Sequence, residues 1–145
     1  MFSEGLGSIY NVIQPANGVY INLADAGGVS FSVFEVDGAT SSVITFSDDA
    51  AGTHTATPAT NDHYYGRSAD QSNGVWHRTA VSPASATVVD ADVVDDQIVI
   101  EILATDCPDG KPWVKCTSDG AATVTAILHD LKYGRAPQNL RSVTA

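Results

Sequence analysis

The sequence predicts an all-β domain: an antiparallel β-sandwich or jelly-roll-like body with extended N- and C-terminal arms. Two observations predict it. Apolar residues recur with period two in several short runs, and a β-strand sends successive side chains to opposite faces. Between the runs stand Gly27-Gly28, Asp37-Gly38, Asn73-Gly74, Asp109-Gly110 and Asp119-Gly120, pairs that accept the backbone of tight turns. Short strands about ten residues apart, with turn signals between them, fit a sandwich.

In chain order, residues 1–15 form an arm. Phe2, Leu6, Ile9 and Ile13 are loosely helical in spacing, but Gly5 and Gly7 lie among them, and each glycine costs a helix about 1 kcal/mol against alanine. The sandwich body then spans 16–133. A strand is expected over 19–24. The next run, 28–38, alternates Val29, Phe31 and Val33 with Ser30, Ser32 and Phe34. Strands over 42–47 and 51–57 follow. Residues 58–72 are polar and read as a long loop with Tyr64 and Tyr65 near its middle.

In 73–81, Val75, His77, Thr79 and Val81 share one face and Trp76, Arg78 and Ala80 the other. The acidic run 88–96 carries Asp90, Asp92, Asp95 and Asp96 and reads as a solvated connector. Clustered carboxylates can bind calcium, yet the glycine and terminal glutamate of an EF-hand loop are missing. In 97–105, Ile98, Ile100 and Ile102 oppose Val99, Glu101 and Leu103, and a strand over 112–117 comes next. The last strand, 121–133, is apolar on both sides. Val124, Ala126 and Leu128 mark one face, and Ile127, Leu131 and Tyr133 the other. A second subunit covering the strand accounts for this, and so does a bulge that flips the alternation. Residues 134–145 form a tail in which Arg135 and Arg141 flank Leu140.

Composition narrows the function. The 145 residues suit one domain and carry 17 acidic against 7 basic side chains, a net charge of −10. Such a chain repels phosphate backbones, so nucleic acid is not an expected partner. Charge is also uneven. No Lys or Arg occurs in residues 1–66, and no acid follows Asp130. A basic tail of this kind can dock on an acidic surface. No run reaches the roughly 18 apolar residues of a membrane span, and the N-terminal residues lack the features of a signal peptide. The expectation is assembly in a cytoplasm, without a membrane partner.

Chemistry-bearing motifs are scarce. His54, His63, His77 and His129 have no metal-ligand spacing, no serine lies in a GxSxG elbow, and no glycine-rich phosphate loop is present. No catalytic residue, metal or cofactor is expected. Cys107 and Cys116 flank the turn at 108–111, where a symmetric hairpin sets Cys116 opposite Leu103, so both are expected as free thiols. Tyr64, Tyr65, Trp76 and Trp113 could form a sugar platform, but the tryptophans sit in apolar strands, where packing is the plainer role.

One resemblance joins these features. SIYNVIQP opens the chain and VWHRTAV stands mid-chain. Glu101-Ile102 with Ala104 leads through Asp109-Gly110 to Trp113-Val114-Lys115, then to Val124–Leu128, and Asp130–Tyr133 precedes a Pro-containing tail. This order, strongest over 97–140, resembles small virion proteins encoded among the head genes of tailed bacteriophages. The resemblance implies a capsid decoration (cement) or minor capsid protein and no enzyme. Its partners would be the major capsid protein, its own copies, or both, at the capsid surface of the virion. The interaction residues read from the chain are Ile127, Leu131, Tyr133, Arg135, Leu140 and Arg141. The alternative is a tail or surface module that binds carbohydrate.

Overall fold

A computed structural model describes residues 11–34, 40–57, 61–68, 75–90, 95–132 and 144. Among the described residues are eleven strands: β1 Asn11–Ile13, β2 Ile21–Asn22, β3 Gly28–Phe34, β4 Thr40–Ser47, β5 Thr55–Ala56, β6 Asn61–Ser68, β7 His77–Ser85, β8 Thr87–Asp90, β9 Asp95–Leu103, β10 Trp113–Ser118 and β11 Thr123–His129. They pair antiparallel in two sheets. The larger has the order β1-β11-β3-β9-β6-β7. The smaller runs β2-β10-β4, with β5 and β8 sharing the far side of β4. The all-β expectation holds.

The strand order defines the sandwich as a jelly roll. Eight strands carry the pattern: β1-β11-β3-β9 in one sheet and β2-β10-β4-β8 in the other. Along the chain these eight visit the sheets in turn, except that β4 and β8 stay together. Every neighbouring pair therefore joins strands from the first and second halves of a double Greek key. Short β5 and the β6–β7 hairpin are inserted between β4 and β8, and the hairpin widens the larger sheet at the free edge of β9.

Alternation puts the core between the sheets. Val29, Phe31 and Val33 of β3, Ile98, Ile100 and Ile102 of β9, and Val124, Ala126 and Leu128 of β11 are fully buried. Facing them from the smaller sheet are Ile21, Ile44, Phe46, Val88, Val114 and Cys116, also fully buried. At about 25 cal/mol per Å² of buried apolar surface, this two-sided layer is the main stabilising contribution.

Several expectations need correction. Within the stretch 58–72, expected as a loop, residues 61–68 form β6, paired to both β7 and β9, while residues 58–60 and 69–72 lie outside the described residues. The buried positions of β6 are Asn61, Tyr64 and Gly66, so a single aromatic carries the apolar half of the pattern. The run 51–57 narrows to Thr55–Ala56 because the Asp49 carboxylate accepts the Thr53 amide at 2.9 Å and turns the chain first. The acidic stretch is not all connector: Thr87–Asp90 pairs with β4 and β9 starts at Asp95, while residues 91–94 lie outside the described residues. The predicted turn exists, with the Lys111 amide donating to the Pro108 carbonyl at 2.9 Å. It joins strands of different sheets instead of closing a hairpin. Cys107 and Cys116 are both free thiols. Of the expected N-terminal arm, residues 11–13 are an edge strand beside β11, and residues 1–10 lie outside the described residues.

Candidate docking face

Directly paired residues on neighbouring strands share a face, so the pairing maps the outward surface of the larger sheet as four rows. His129, Gly28 and Leu103 form the first, and Val12, Ile127, Ser30 and Glu101 the second. Thr125, Ser32, Val99, Tyr65 and Arg78 form the third, and Thr123, Phe34, Gln97 and Arg67 the fourth.

A sandwich facing water on both sides exposes polar side chains there. This face departs from that. Among the described residues, the exposed large hydrophobic side chains are Val12, Phe34, Tyr65, Val75, Trp76 and Leu103, and all lie on the larger sheet or just before β7. Phe34 is 52% and Val12 57% exposed. Beside Phe34 lies a shallow groove of about 450 Å³ lined by Gln14, Ser32, Phe34, Gln97, Thr123, Thr125 and Ile127. Gln97 crosses its floor and donates to the Ser32 hydroxyl at 2.8 Å.

The corner nearest the end of β11 carries the histidine chemistry. Gly28 has no side chain, and a Cβ there would meet His129 Cε1 at 2.7 Å. The imidazole therefore lies across β3, with Nε2 3.5 Å from Glu101 Oε1 and Nδ1 3.0 Å from Asp130 Oδ2. At the other edge, His63 stacks edge-on against Tyr65, with ring centroids 5.2 Å apart, and pairs with Asp62. That hydrogen bond holds the Asp62 carboxyl below its usual range, with smaller help from the His63 and Arg78 charges. Among the described residues, no group of three or more His, Cys, Asp or Glu is arranged to hold a metal ion.

A second groove, about 370 Å³, lies at the end of the sandwich beside Cys107, Lys111 and Lys132. Both ammonium groups are occupied: Lys111 donates to the His54 carbonyl at 2.6 Å and Lys132 to the Ala24 carbonyl at 2.5 Å. Burial, aided by the Asp106 charge, pushes the Cys107 thiol up to about 11, so it is a poor nucleophile at neutral pH.

The sequence-predicted interaction residues divide. Ile127 lies on the outward face, half-buried, beside the groove. Leu131 does not share that face. The strand ends at His129, Asp130 takes a positive φ of 52°, and Leu131 turns back to pack against the core. Tyr133, Arg135, Leu140 and Arg141 lie outside the described residues. Trp76, expected in core or interface packing, is 43% exposed, and Trp113 is half-buried on the smaller sheet. The sequence alone does not single out Val12 or Phe34, and it offers Tyr65 only as a sugar-platform candidate. Phe34, Val99 and Leu103 stand on the opposite parity to the core residues of their own strands, and that was the available signal.

Comparison of the chain with family models, curated proteins and solved structures gave no match.

Proposed function

We propose that this protein is a structural virion protein of a tailed bacteriophage, a capsid decoration (cement) or minor capsid protein that binds the major capsid protein lattice and stabilises the head. One observation carries the docking role: the concentration of exposed apolar side chains on the outward face of a single sheet. Large apolar surface left in water marks a place where another protein sits. The jelly roll supports the reading as fold-level analogy, since capsid domains use it, and the resemblance over residues 97–140 supplies the virion context. Lectins share the same architecture, so the fold does not choose between them.

The test is quantitative mass spectrometry of purified particles. Decoration requires a copy number comparable with that of the major capsid protein, and absence from the particles sinks the proposal. The exposed rings of Tyr65 and Trp76 favour a second reading, a carbohydrate-binding module. That reading requires glycan-array binding that is lost on Trp76→Ala.

A further inference from the structure

We propose that the outward face of the β6–β7 hairpin docks onto the acidic surface of a second copy of this chain, in a head-to-tail arrangement. The inference rests on reading this sheet as a protein-docking face, and it names the occupant of one end of it.

The cationic side chains fall into two groups. Five of the seven Lys and Arg side chains belong to described residues. The three lysines are turned to internal use. Lys111 and Lys132 hold backbone carbonyls, and Lys115 Nζ lies 4.6 Å from the centre of the Tyr20 ring. Arg67 and Arg78 differ. Both are exposed, both stand on the outward face of the hairpin, and Tyr65 lies between them as the direct partner of Arg78. Arg78 has a loose contact with Asp62 at 3.8 Å, and Arg67 makes no ion pair among the described residues. Exposed Trp76 precedes β7 at the same end.

Tryptophan, tyrosine and arginine are the side chains that dominate binding energy at protein interfaces. Here they are gathered on an insertion that the eight-strand jelly roll does not need in order to close. The arginines face outward from a molecule of net charge −10, so a second copy offers them a complementary surface. Net repulsion between two such copies is limited at physiological salt, where the Debye length is about 8 Å. A two-fold contact centred on this patch would set arginine against arginine. The complementary contact is heterologous instead, and such contacts close into rings or continue as filaments.

Sedimentation velocity on the full chain tests this over a range of concentrations and salt. The expected result is reversible association that weakens as NaCl is raised, and an association constant at least about tenfold lower for Arg67→Glu/Arg78→Glu and for Trp76→Ala. Circular dichroism confirms that each variant is folded, and Arg67→Lys/Arg78→Lys should retain most of the association. A wild-type chain that stays monomeric at millimolar concentration overturns the proposal, as does association that the charge-reversal variant leaves unchanged. Capsid binding by the same variants is read separately. If they bind capsids normally yet the wild type does not self-associate, this inference fails and the virion reading stands.

Discussion

The carboxamide of Asn17 holds the backbone of Ser118 with two hydrogen bonds, donating Nδ2 to the carbonyl at 3.1 Å and accepting the amide at Oδ1 at 2.9 Å. Asn17 lies in the β1–β2 connection and Ser118 ends β10, so one side chain acts there as a further strand partner. Ser118 is buried, and its hydroxyl also meets that of Ser42 at 3.1 Å. Asn17→Ala leaves two backbone groups unpaired and should cost about 1–3 kcal/mol in chemical denaturation. Asn17→Asp should fall short of wild type because it removes the donor. An unchanged midpoint for the alanine variant would show that water replaces the amide.

Gly52 fits against the ring of Tyr20. It has φ of 75°, and a Cβ there would lie 2.6 Å from Tyr20 Cε2. Gly52→Ala combines the left-handed penalty of about 1–2 kcal/mol with displacement of a buried ring. A double variant with Tyr20→Leu should recover part of the loss. Recovery of nothing would assign the cost to the backbone alone.

Phe31 and Phe34 are three residues apart on one strand and face opposite ways. Phe31 is fully buried, so Phe31→Ala should destabilise by about 3–5 kcal/mol. Phe34→Ser, on the outward face, should change stability by no more than about 0.5 kcal/mol. Thermal melts of the two variants measure the difference directly. A large loss for Phe34→Ser would mean that this ring stabilises the isolated chain.

Burial pushes the Cys116 thiol up to about 12, opposed in part by a hydrogen bond with Ser42, and the Cys107 thiol up to about 11. A thiol raised from its ordinary 9.0 holds its proton more tightly in the folded chain than in the unfolded one. Its contribution to stability is therefore complete below about pH 9 and is lost as pH rises toward those folded values. Stability should fall through this alkaline window, and by less in Cys116→Ala. Cys116 should resist thiol reagents at pH 8 until the chain unfolds, and fast labelling of the native protein would contradict its burial.

At the acid end, hydrogen bonds from Thr53 hold the carboxyl of half-buried Asp49 down at about 2. A depressed carboxylate contributes above its ordinary value of 3.8 and loses that contribution as pH falls toward the folded one. The β4–β5 loop should therefore loosen between roughly pH 4 and pH 2. NMR titration of the Thr53 amide should report this, and Asp49→Asn should flatten the response.

Much of this fold was legible because its core strands obey alternation strictly. Ile98, Ile100 and Ile102 announce a buried face, as do Val29, Phe31 and Val33. β6 was not legible, because its inward positions include Gly66 and only Tyr64 supplies an apolar signal. Pairing order was hidden too. Asp109-Gly110 and Asp119-Gly120 look like hairpin turns, yet both connect strands of different sheets, and no local pattern distinguishes the two uses. The candidate docking face was visible in part through Ile127. Its full extent depends on registers that bring Val12 beside Ile127 and Phe34 beside Thr123, neighbours far apart in sequence.

The interior places of β10 and β11 also bear on how the protein is made. β11 stands between β1 and β3, and β10 between β2 and β4. Until both strands have left the ribosome, β1 and β2 have no partner in their sheets, and β3 and β4 each lack one neighbour. Sheets built from distant pairings fold slowly, and unpaired edges invite aggregation. The nascent chain therefore waits for β10 and β11 with its apolar faces unprotected, and a message truncated before Thr123 would yield an aggregating fragment instead of a smaller stable domain.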